Sequence, residues 1–267
     1  MVNMQTNRSP LETEPLTKLL FRYSVPTTLT LMVNYIYNIV DQIFVGQGVG
    51  ITGMAAINIA FPLSILVNAV SLLLGDGCAA NVSLCLGRRE QENANKIFGQ
   101  AVTWIVASGI ALAFICGIFA PHIVTLFGTT NTAYGESLAY MRVIAIGIPF
   151  QLICPAFTAM IRADGSPQYT MKCMMAGAVV NIILDPILIF GLFGLPRLEV
   201  AGAALATITG QIVGVILAAF FNHTKNHEID INMKGFRPHG RTIATIYKVG
   251  VPSIIMQAIT SVMTFGM

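Results

Sequence analysis

The sequence alternates between long apolar runs and short polar connections. Six of these runs reach the ~20 residues that a helix needs to cross a bilayer, and a seventh begins near Ile243 and continues to Met267. This pattern predicts an all-α polytopic membrane protein, in which a six-helix transmembrane bundle is followed by the start of a seventh helix. The six predicted helices, numbered in chain order, cover residues 19–46, 54–86, 101–119, 137–161, 169–193 and 200–221.

Composition agrees with a membrane protein and excludes several other classes. Of the 267 residues, 55% are apolar and 10% are charged, whereas soluble domains carry about 25% charged residues. The net charge of +3 is small and forms no basic stripe, so nucleic acid is not an expected partner. The five cysteines lie in apolar segments without a Cys-x-x-Cys pair, and the motifs Gly-x-Ser-x-Gly, His-Glu-x-x-His and the Walker loop do not occur. We therefore predict neither an enzyme nor a bound cofactor.

The basic residues predict the orientation in the membrane. With the N-terminus in the cytosol, thirteen of the fifteen lysines and arginines fall in cytosolic segments or at cytosolic helix ends, as the positive-inside rule requires. Only Arg142 and Arg197 then lie toward the outside. The polar residues 1–18 are predicted to be a cytosolic tail rather than a cleavable signal peptide, and residues 222–242 a cytosolic linker. We expect a multi-pass protein of the plasma or inner cell membrane.

A short repeat suggests that the bundle is one of two related units. Helix 1 begins with Phe-Arg-Tyr-Ser-Val-Pro-Thr at residues 21–27, and the seventh segment carries Tyr-Lys-Val-Gly-Val-Pro-Ser at residues 247–253. Chance similarity between apolar segments is the alternative explanation. A true repeat of six helices would give two parallel lobes in a protein of roughly 450 residues. Residues 19–221 would then form the N-terminal lobe, and residues 243–267 the first helix of a truncated second lobe.

Polar residues inside the predicted spans are functional candidates, because a charge there costs roughly 2.5–3.5 kcal/mol on insertion scales. Asp41 ends a row of polar residues, and Thr27, Thr30, Asn34 and Asn38 share its face of helix 1. We expect this face to line a cavity, although Asn34 or Asn38 taken alone fits an interhelical hydrogen bond better. Two further aspartates lie within spans: Asp76 and Asp185.

Helix 5 is predicted to gather oxygen ligands at a kink. Asn181 and Asp185 are one turn apart, and Pro186 lacks the N–H that would bond the carbonyl of Ile182. An amide oxygen, a carboxylate and a free carbonyl suit a small hard cation such as sodium, and a proton could occupy the same place. A structural kink with a hydrogen-bonded acid is the alternative.

Span directions predict which residues share a depth. Helices 1 and 5 run outward and helix 6 runs inward, so Asp41, Asp185, Ala203 and Thr207 should all lie in the outer half of the bilayer. Small residues at 201–204 and 206 make helix 6 thin, so a neighbouring helix can approach closely. Thr207 could then add a hydroxyl to the same site, although bonding to its own helix is the more common state of a lone threonine.

Four other residues are assigned less direct roles. Asp76, between Gly75 and Gly77, is predicted to lie nearer the cytosolic half, where a structural or gating role is favoured over binding. Pro26 and Pro186 interrupt their helices and are candidates for the same kind of role. Tyr140 opens helix 4 near the outer face and is predicted either to line the cavity or to anchor at the membrane interface.

These segments together resemble the multidrug and toxic compound extrusion (MATE) family. Helix 1 ends with DQIFVG, helix 2 closes with VSLCLGRR, and helix 4 runs from YMRVIAIGIPF to IRADGSPQ. Helices 5 and 6 supply NIILDPILIFG and VAGAALAT. The resemblance covers nearly all of residues 14–267. It implies a fold of twelve helices in two six-helix lobes, and an antiporter that exports organic cations or drugs, driven by inward sodium or protons.

The resemblance also implies a cation or proton site in the first lobe. Asp41 and Asp185 would be its acids, Asn181 and Thr207 would be its neutral ligands, and Ala203 would offer a backbone carbonyl. All but Ala203 would hold sodium if the protein is sodium-coupled, and Tyr140 would lie near this cavity. The implied partners are organic cations or drugs, membrane lipid and the missing C-terminal lobe.

Other functions fit the residues less well. A flippase for lipid-linked saccharides, from a related superfamily branch, would need cationic residues in its cavity to meet phosphates, whereas the charges within these spans are mainly acidic. A membrane scaffold would have no use for acids in the middle of the bilayer.

Overall fold

The computed structural model describes residues 15–163, 166–225, 243–252 and 254–255. Most of the predicted tail, most of the linker and the end of the seventh segment lie outside these residues. A short 3₁₀ turn, Leu192–Gly194, separates the fifth and sixth helices. The helices are α1 (Leu16–Gly48), α2 (Ile51–Gly87), α3 (Gln91–Leu126), α4 (Tyr134–Ala163), α5 (Pro167–Phe190), α6 (Glu199–Lys225) and α7 (residues 243–252).

Among the described helices, five are long and apolar enough to cross a membrane, namely α2 to α6. The sequence pattern predicted six such spans. α1 is long enough, with 33 residues, but it is not among the five. Its polar residues, including Asn34, Asn38 and Asp41, lower its mean hydropathy. Large apolar side chains are nevertheless exposed along α1 and α3, on surface that suits contact with lipid.

The helix bounds differ from the predicted ones most clearly in α3, which ends at Leu126 instead of residue 119. α3 begins at Gln91 instead of residue 101, and the ion pair between Glu92 and Lys96, 2.7 Å apart, lies on its exposed first turns. α5 ends at Phe190 instead of residue 193, because Gly191 adopts a left-handed φ of 72° that closes the helix. The apolar run continues past this glycine, so hydropathy alone extended the predicted helix.

Consecutive helices alternate in direction. We call the end with residues 49–50, 127–133 and 191–198 the upper end of the bundle, and the opposite end the lower end. At the upper end, Thr52 at the start of α2 donates to Glu136 at the start of α4, over 3.2 Å. At the lower end, Thr170 of α5 donates to the carbonyl of Thr158 of α4, over 3.0 Å.

α4 lies at the centre of the bundle, where it packs against α2, α3 and α6, whereas α1 packs chiefly against α5. Small residues allow the close approaches: a Cβ on Gly75 of α2 would lie 3.0 Å from Cα of Ala156, and a Cβ on Gly109 of α3 would lie 2.9 Å from Cα of Pro149. The resulting apolar core belongs mainly to α2, α3 and α4. α7 joins this core at the lower half of α2 through Ile246, which is 2% exposed.

Candidate functional site

Two aspartates are buried in the upper half of the bundle, close enough for their charges to interact. Asp41 of α1 is 8% exposed and Asp185 of α5 is fully buried, and their carboxyl groups lie within electrostatic range of each other. An apolar layer of Val45, Ile189 and Ala203 packs directly above them. Both acids are therefore enclosed where α1, α5 and α6 meet, and neither faces lipid.

Asn181 connects this acid pair to α6. Its Nδ2 lies 3.3 Å from Oδ1 of Asp185 and 3.4 Å from Oγ1 of Thr207, and it donates to both. The two helices can approach this closely because glycines face each other beside the site. A Cβ on Gly177 would lie 2.8 Å from the carbonyl oxygen of Gly210, and a Cβ on Gly210 would lie 2.6 Å from that of Gly177.

Three oxygen atoms at this site receive no hydrogen bond from any residue that the structure describes. They are Oδ1 of Asp41, Oδ1 of Asn181 and Oδ2 of Asp185, all of them buried. Buried polar atoms in folded proteins are nearly always satisfied, so a cluster of unsatisfied acceptors needs an explanation. A proton, a water molecule or a small cation would satisfy these acceptors, and two carboxylates with an amide and a hydroxyl oxygen are hard ligands.

Within the described ranges, no group of three or more histidine, cysteine, aspartate or glutamate side chains is placed to hold a metal ion. The two acids and two neutral side chains of the site carry oxygen atoms, which are the ligand type of hard cations.

A cavity of about 180 Å³ opens beside the site. Three of its lining residues were candidates from sequence: Asn34, Asn181 and Thr207. The two aspartates do not line it, and no lining residue is charged. The full lining is Asn34, Tyr37, Asn68, Gln151, Cys154, Pro155, Cys173, Met174, Gly177, Ala178, Asn181, Thr207, Gly210, Gln211 and Gly214.

Of the polar face predicted on helix 1, only Asn34 lines this cavity, and Tyr140 does not line it either. Asn38 is exposed, and its Nδ2 donates to the backbone carbonyl of Asn34 over 2.7 Å, so its own helix satisfies the amide. Tyr140 is 7% exposed and packs in the main apolar core, within electrostatic range of Asp41 and Asp185. Its ring fills space between helices, so Tyr140 lies close to the acid pair without lining the cavity.

Asp76 lies on α2 toward the lower end of the bundle, whereas Asp41 and Asp185 lie in the upper half. Oδ1 of Asp76 is 3.6 Å from Nη2 of Arg162 on α4, and both side chains are partly exposed. Pro26 is buried in the lower part of α1, and α5 continues through Pro186 for one more turn. A gating or structural role for these residues remains a prediction.

Sequence reasoning did not single out four polar residues of the cavity: Tyr37, Asn68, Gln151 and Gln211. A signal existed for two of them. Tyr37 is three residues after Asn34 and four before Asp41, and Gln211 is four after Thr207, so each continues a polar face that had been recognised. Asn68 and Gln151 stand alone in apolar runs, and periodicity does not show which of the other helices they face.

Comparison with known proteins gives a consistent result. Residues 26–187 match the family model described as MatE. The chain is 25% identical over 266 residues to the probable multidrug resistance protein YoeA of Bacillus subtilis, covering 97% of this chain and 58% of that protein. It is 26% identical over 249 residues to the multidrug export protein MepA of Staphylococcus aureus, covering 92% of this chain and 53% of that protein.

The fold is also similar to that of a solved structure of a MATE protein. A crystal structure of MATE in complex with MaD3S superposes with a TM-score of 0.86 at 26% identity, covering 96% of this chain and 57% of that one. The chain thus spans about half the length of the curated relatives and of the solved structure that it matches.

Proposed function

Because the chain belongs to the MatE family of multidrug and toxic compound extrusion transporters, we propose that it forms the first lobe of a secondary antiporter that exports organic cations across the cell membrane. Inward flow of sodium or protons drives the export. The names of the relatives, a multidrug resistance protein and a multidrug export protein, support drugs as the cargo. The second lobe supplies the other wall of the export path, since alternating access needs two bundles that rock around a site.

The observation that carries the proposal is the set of donor-free oxygens on Asp41, Asn181 and Asp185. Two charged carboxylates enclosed together in a medium of low dielectric repel each other and are poorly solvated. A bound sodium ion or proton removes much of this cost. We assign Asp41, Asn181, Asp185 and Thr207 as the side-chain ligands, with the Ala203 carbonyl as an additional one.

Occupancy of the site is then linked to helix packing. Asp41 belongs to α1, while Asp185, Asn181 and Thr207 belong to α5 and α6. A cation between them attracts both acids, and its release leaves two acids that repel. The coupling ion therefore changes how strongly α1 is held against α5, which provides a physical link between ion binding and rearrangement of the lobe.

The cavity supports cationic or neutral cargo over a phosphate-bearing lipid. No lysine or arginine lines it, whereas amide groups of Asn34, Asn68 and Gln211 do. Its volume of about 180 Å³ is below the roughly 300–1,000 Å³ of sites that enclose drug-sized ligands. We propose that larger cargo binds between the lobes and reaches only in part into this cavity.

The proposed orientation places the upper end outside the cell. Arg142 of α4 and Arg197 before α6 lie toward that end, whereas Arg88, Arg89 and Lys172 lie at the lower end. The excess of basic residues at the lower end supports a cytosolic lower end, by the positive-inside rule. The N-terminus is then cytosolic.

Reconstitution tests both parts of the proposal. The two-lobe protein, placed in liposomes with an inward sodium gradient at equal pH or a proton gradient without sodium, should move a fluorescent cationic dye against its own gradient. Transport that ignores both gradients would contradict ion coupling. Residues 1–267 alone should not transport the dye, and gradient-dependent transport by this chain alone would contradict the assignment of one lobe and indicate a homodimeric transporter.

A further inference from the structure

α1 is held in the bundle mainly at its upper end. Apart from Pro26, its buried residues are Asp41, Val45 and Gly48, all within its last eight positions. The remainder of the helix is half-buried or exposed. Whatever fixes the upper end of α1 therefore also fixes the place of Asp41 relative to Asp185.

Arg197 makes one of the contacts that fix this end. Its Nη2 donates a hydrogen bond to the backbone carbonyl of Gly48, the last residue of α1. The final carbonyls of a helix have no partner within the helix, and a positive charge near them also interacts favourably with the negative end of the helix dipole. The Nε of the same guanidinium lies 3.5 Å from Oε1 of Glu199, the first residue of α6. One side chain thus links the end of α1 to the start of α6.

The loop that carries Arg197 is itself held against α5. The N–H of Leu198 donates to the carbonyl of Leu188 over 3.1 Å. Gly191 has a φ of 72°, which lets the chain turn back tightly. A Cβ on Gly191 would lie 2.8 Å from the backbone nitrogen of Arg197. Gly48 packs closely on the same part of α5, since a Cβ on it would lie 2.5 Å from Cγ2 of Ile189. The guanidinium therefore closes a ring of contacts around the upper ends of three helices.

This ring lies directly above the acid pair. Gly48 is about two turns above Asp41, and Ile189 is about one turn above Asp185. The apolar layer of Val45, Ile189 and Ala203 separates the two levels. Arg197 therefore has a path of packed contacts to the acids without lying beside them.

We propose that Arg197 is a positioning residue for the cation site, which holds the upper end of α1 on α5 and α6 and so keeps Asp41 at the level of Asp185. This assignment rests on the proposed function, because it concerns the same site. It also explains the use of arginine at this position. The planar guanidinium donates a hydrogen bond to Gly48 and at the same time forms an ion pair with Glu199, whereas a lysine ammonium on a flexible stem would not hold both in fixed geometry.

The test uses the full 267-residue chain in lipid nanodiscs. Sodium is titrated into a choline buffer at alkaline pH that contains no other sodium, and its binding is measured. Proton uptake at the same site is measured separately with a pH indicator. Arg197→Gln should weaken cation binding about fivefold, and Arg197→Lys should recover part of this loss. Arg142→Gln is the matched control, since Arg142 is also an exposed arginine in the upper half of the bundle, on α4, and it should stay within about twofold of wild type. Glu199→Gln should weaken binding in the same direction as Arg197→Gln, but less.

A double variant separates positioning from a general loss of stability. In an Asp41→Asn background, Arg197→Gln should have no further effect on residual cation binding, because its route to the site runs through Asp41. Thermal unfolding in the absence of cation should change equally in both backgrounds.

The outcomes distinguish the two proposals. If Asp185→Asn leaves cation binding unchanged, the cation site itself is wrong and this inference fails with it. If Asp185→Asn abolishes binding while Arg197→Gln behaves like Arg142→Gln, the site stands and only the role of Arg197 is overturned. Should Arg197→Gln fail to fold, Glu199→Gln and Arg197→Lys decide, and wild-type binding in both would overturn the inference.

Discussion

Asn181 and Thr207 are joined across the interface of α5 and α6 by a hydrogen bond of 3.4 Å from amide to hydroxyl. The same amide nitrogen donates to Asp185 over 3.3 Å. With both of these acceptors on its nitrogen side, Asn181 presents its oxygen without a donor, beside the unsatisfied oxygens of the two aspartates. Asn181 thus holds Asp185 from the same helix, and its free oxygen is the one that we propose as a cation ligand.

This geometry predicts the effect of removing the amide. Asn181→Ala should weaken sodium binding by about 1.5–3 kcal/mol, the range for a hydrogen bond to a charged group, because a ligand oxygen and the donor to Asp185 are both lost. Gln211→Ala is the matched control, since Gln211 lines the same cavity and has no hydrogen bond to either acid. Sodium titration of the purified chain measures both, and equal affinities would contradict a ligand role for Asn181.

The acid pair should be required for coupling. In the two-lobe protein, Asp41→Asn and Asp185→Asn should each abolish ion-driven efflux of a cationic dye, while the protein still reaches the membrane. The amide is isosteric but neither binds sodium as a carboxylate does nor takes up a proton. Glu92→Gln serves as the control, because Glu92 is an exposed acid at the lower end of α3, where it pairs with Lys96. Efflux at the wild-type rate in either of the first two variants would refute the assignment.

Sodium and protons should compete at this site. A proton on Asp41 or Asp185 removes the negative charge that attracts sodium and occupies the same oxygen. Lowering the pH from alkaline to mildly acidic should therefore weaken sodium binding, with no change in the number of ions bound at saturation. Sodium titrations at several pH values measure this shift. An affinity independent of pH would mean that the two ions do not share the carboxyl groups.

The sequence was sufficient to predict the acid pair but not every residue around it. The spacing of Asn181 and Asp185 fixes their shared face on one helix, and span direction put Asp41 at a similar depth. Periodicity does not fix the rotation of a helix in the bundle, so Asn38 was placed in the cavity although it is exposed. Arg197 gave no signal at all, because its hydrogen-bond partner is a backbone carbonyl 149 positions away.

Close contact between α5 and α6 should be essential for stability. Gly210→Ala would place a Cβ 2.6 Å from the carbonyl oxygen of Gly177, and the helices would have to separate. Such overpacking typically lowers the free energy of unfolding by about 1–3 kcal/mol. We therefore expect a lower unfolding temperature in detergent. Gly99→Ala in α3 is the control, because a Cβ there meets nothing within 4 Å and alanine favours the helix. A similar temperature for both variants would show that the glycine contact is dispensable.

The contact between α7 and α2 gives the last prediction. α7 reaches the core because Gly77 of α2 leaves room for the backbone of Ile246, and Gly250 of α7 leaves room for that of Leu73. Gly77→Leu should displace α7, since a leucine side chain would occupy the space of Ile246, whereas Gly87→Leu in the same helix should not, because nothing lies within 4 Å of its Cβ position. Amide hydrogen exchange over residues 243–252 measures the difference, with faster exchange expected only in Gly77→Leu. Unchanged protection in that variant would mean that other contacts hold α7. Loss of protection would show that packing on the lower part of α2 holds α7 in place.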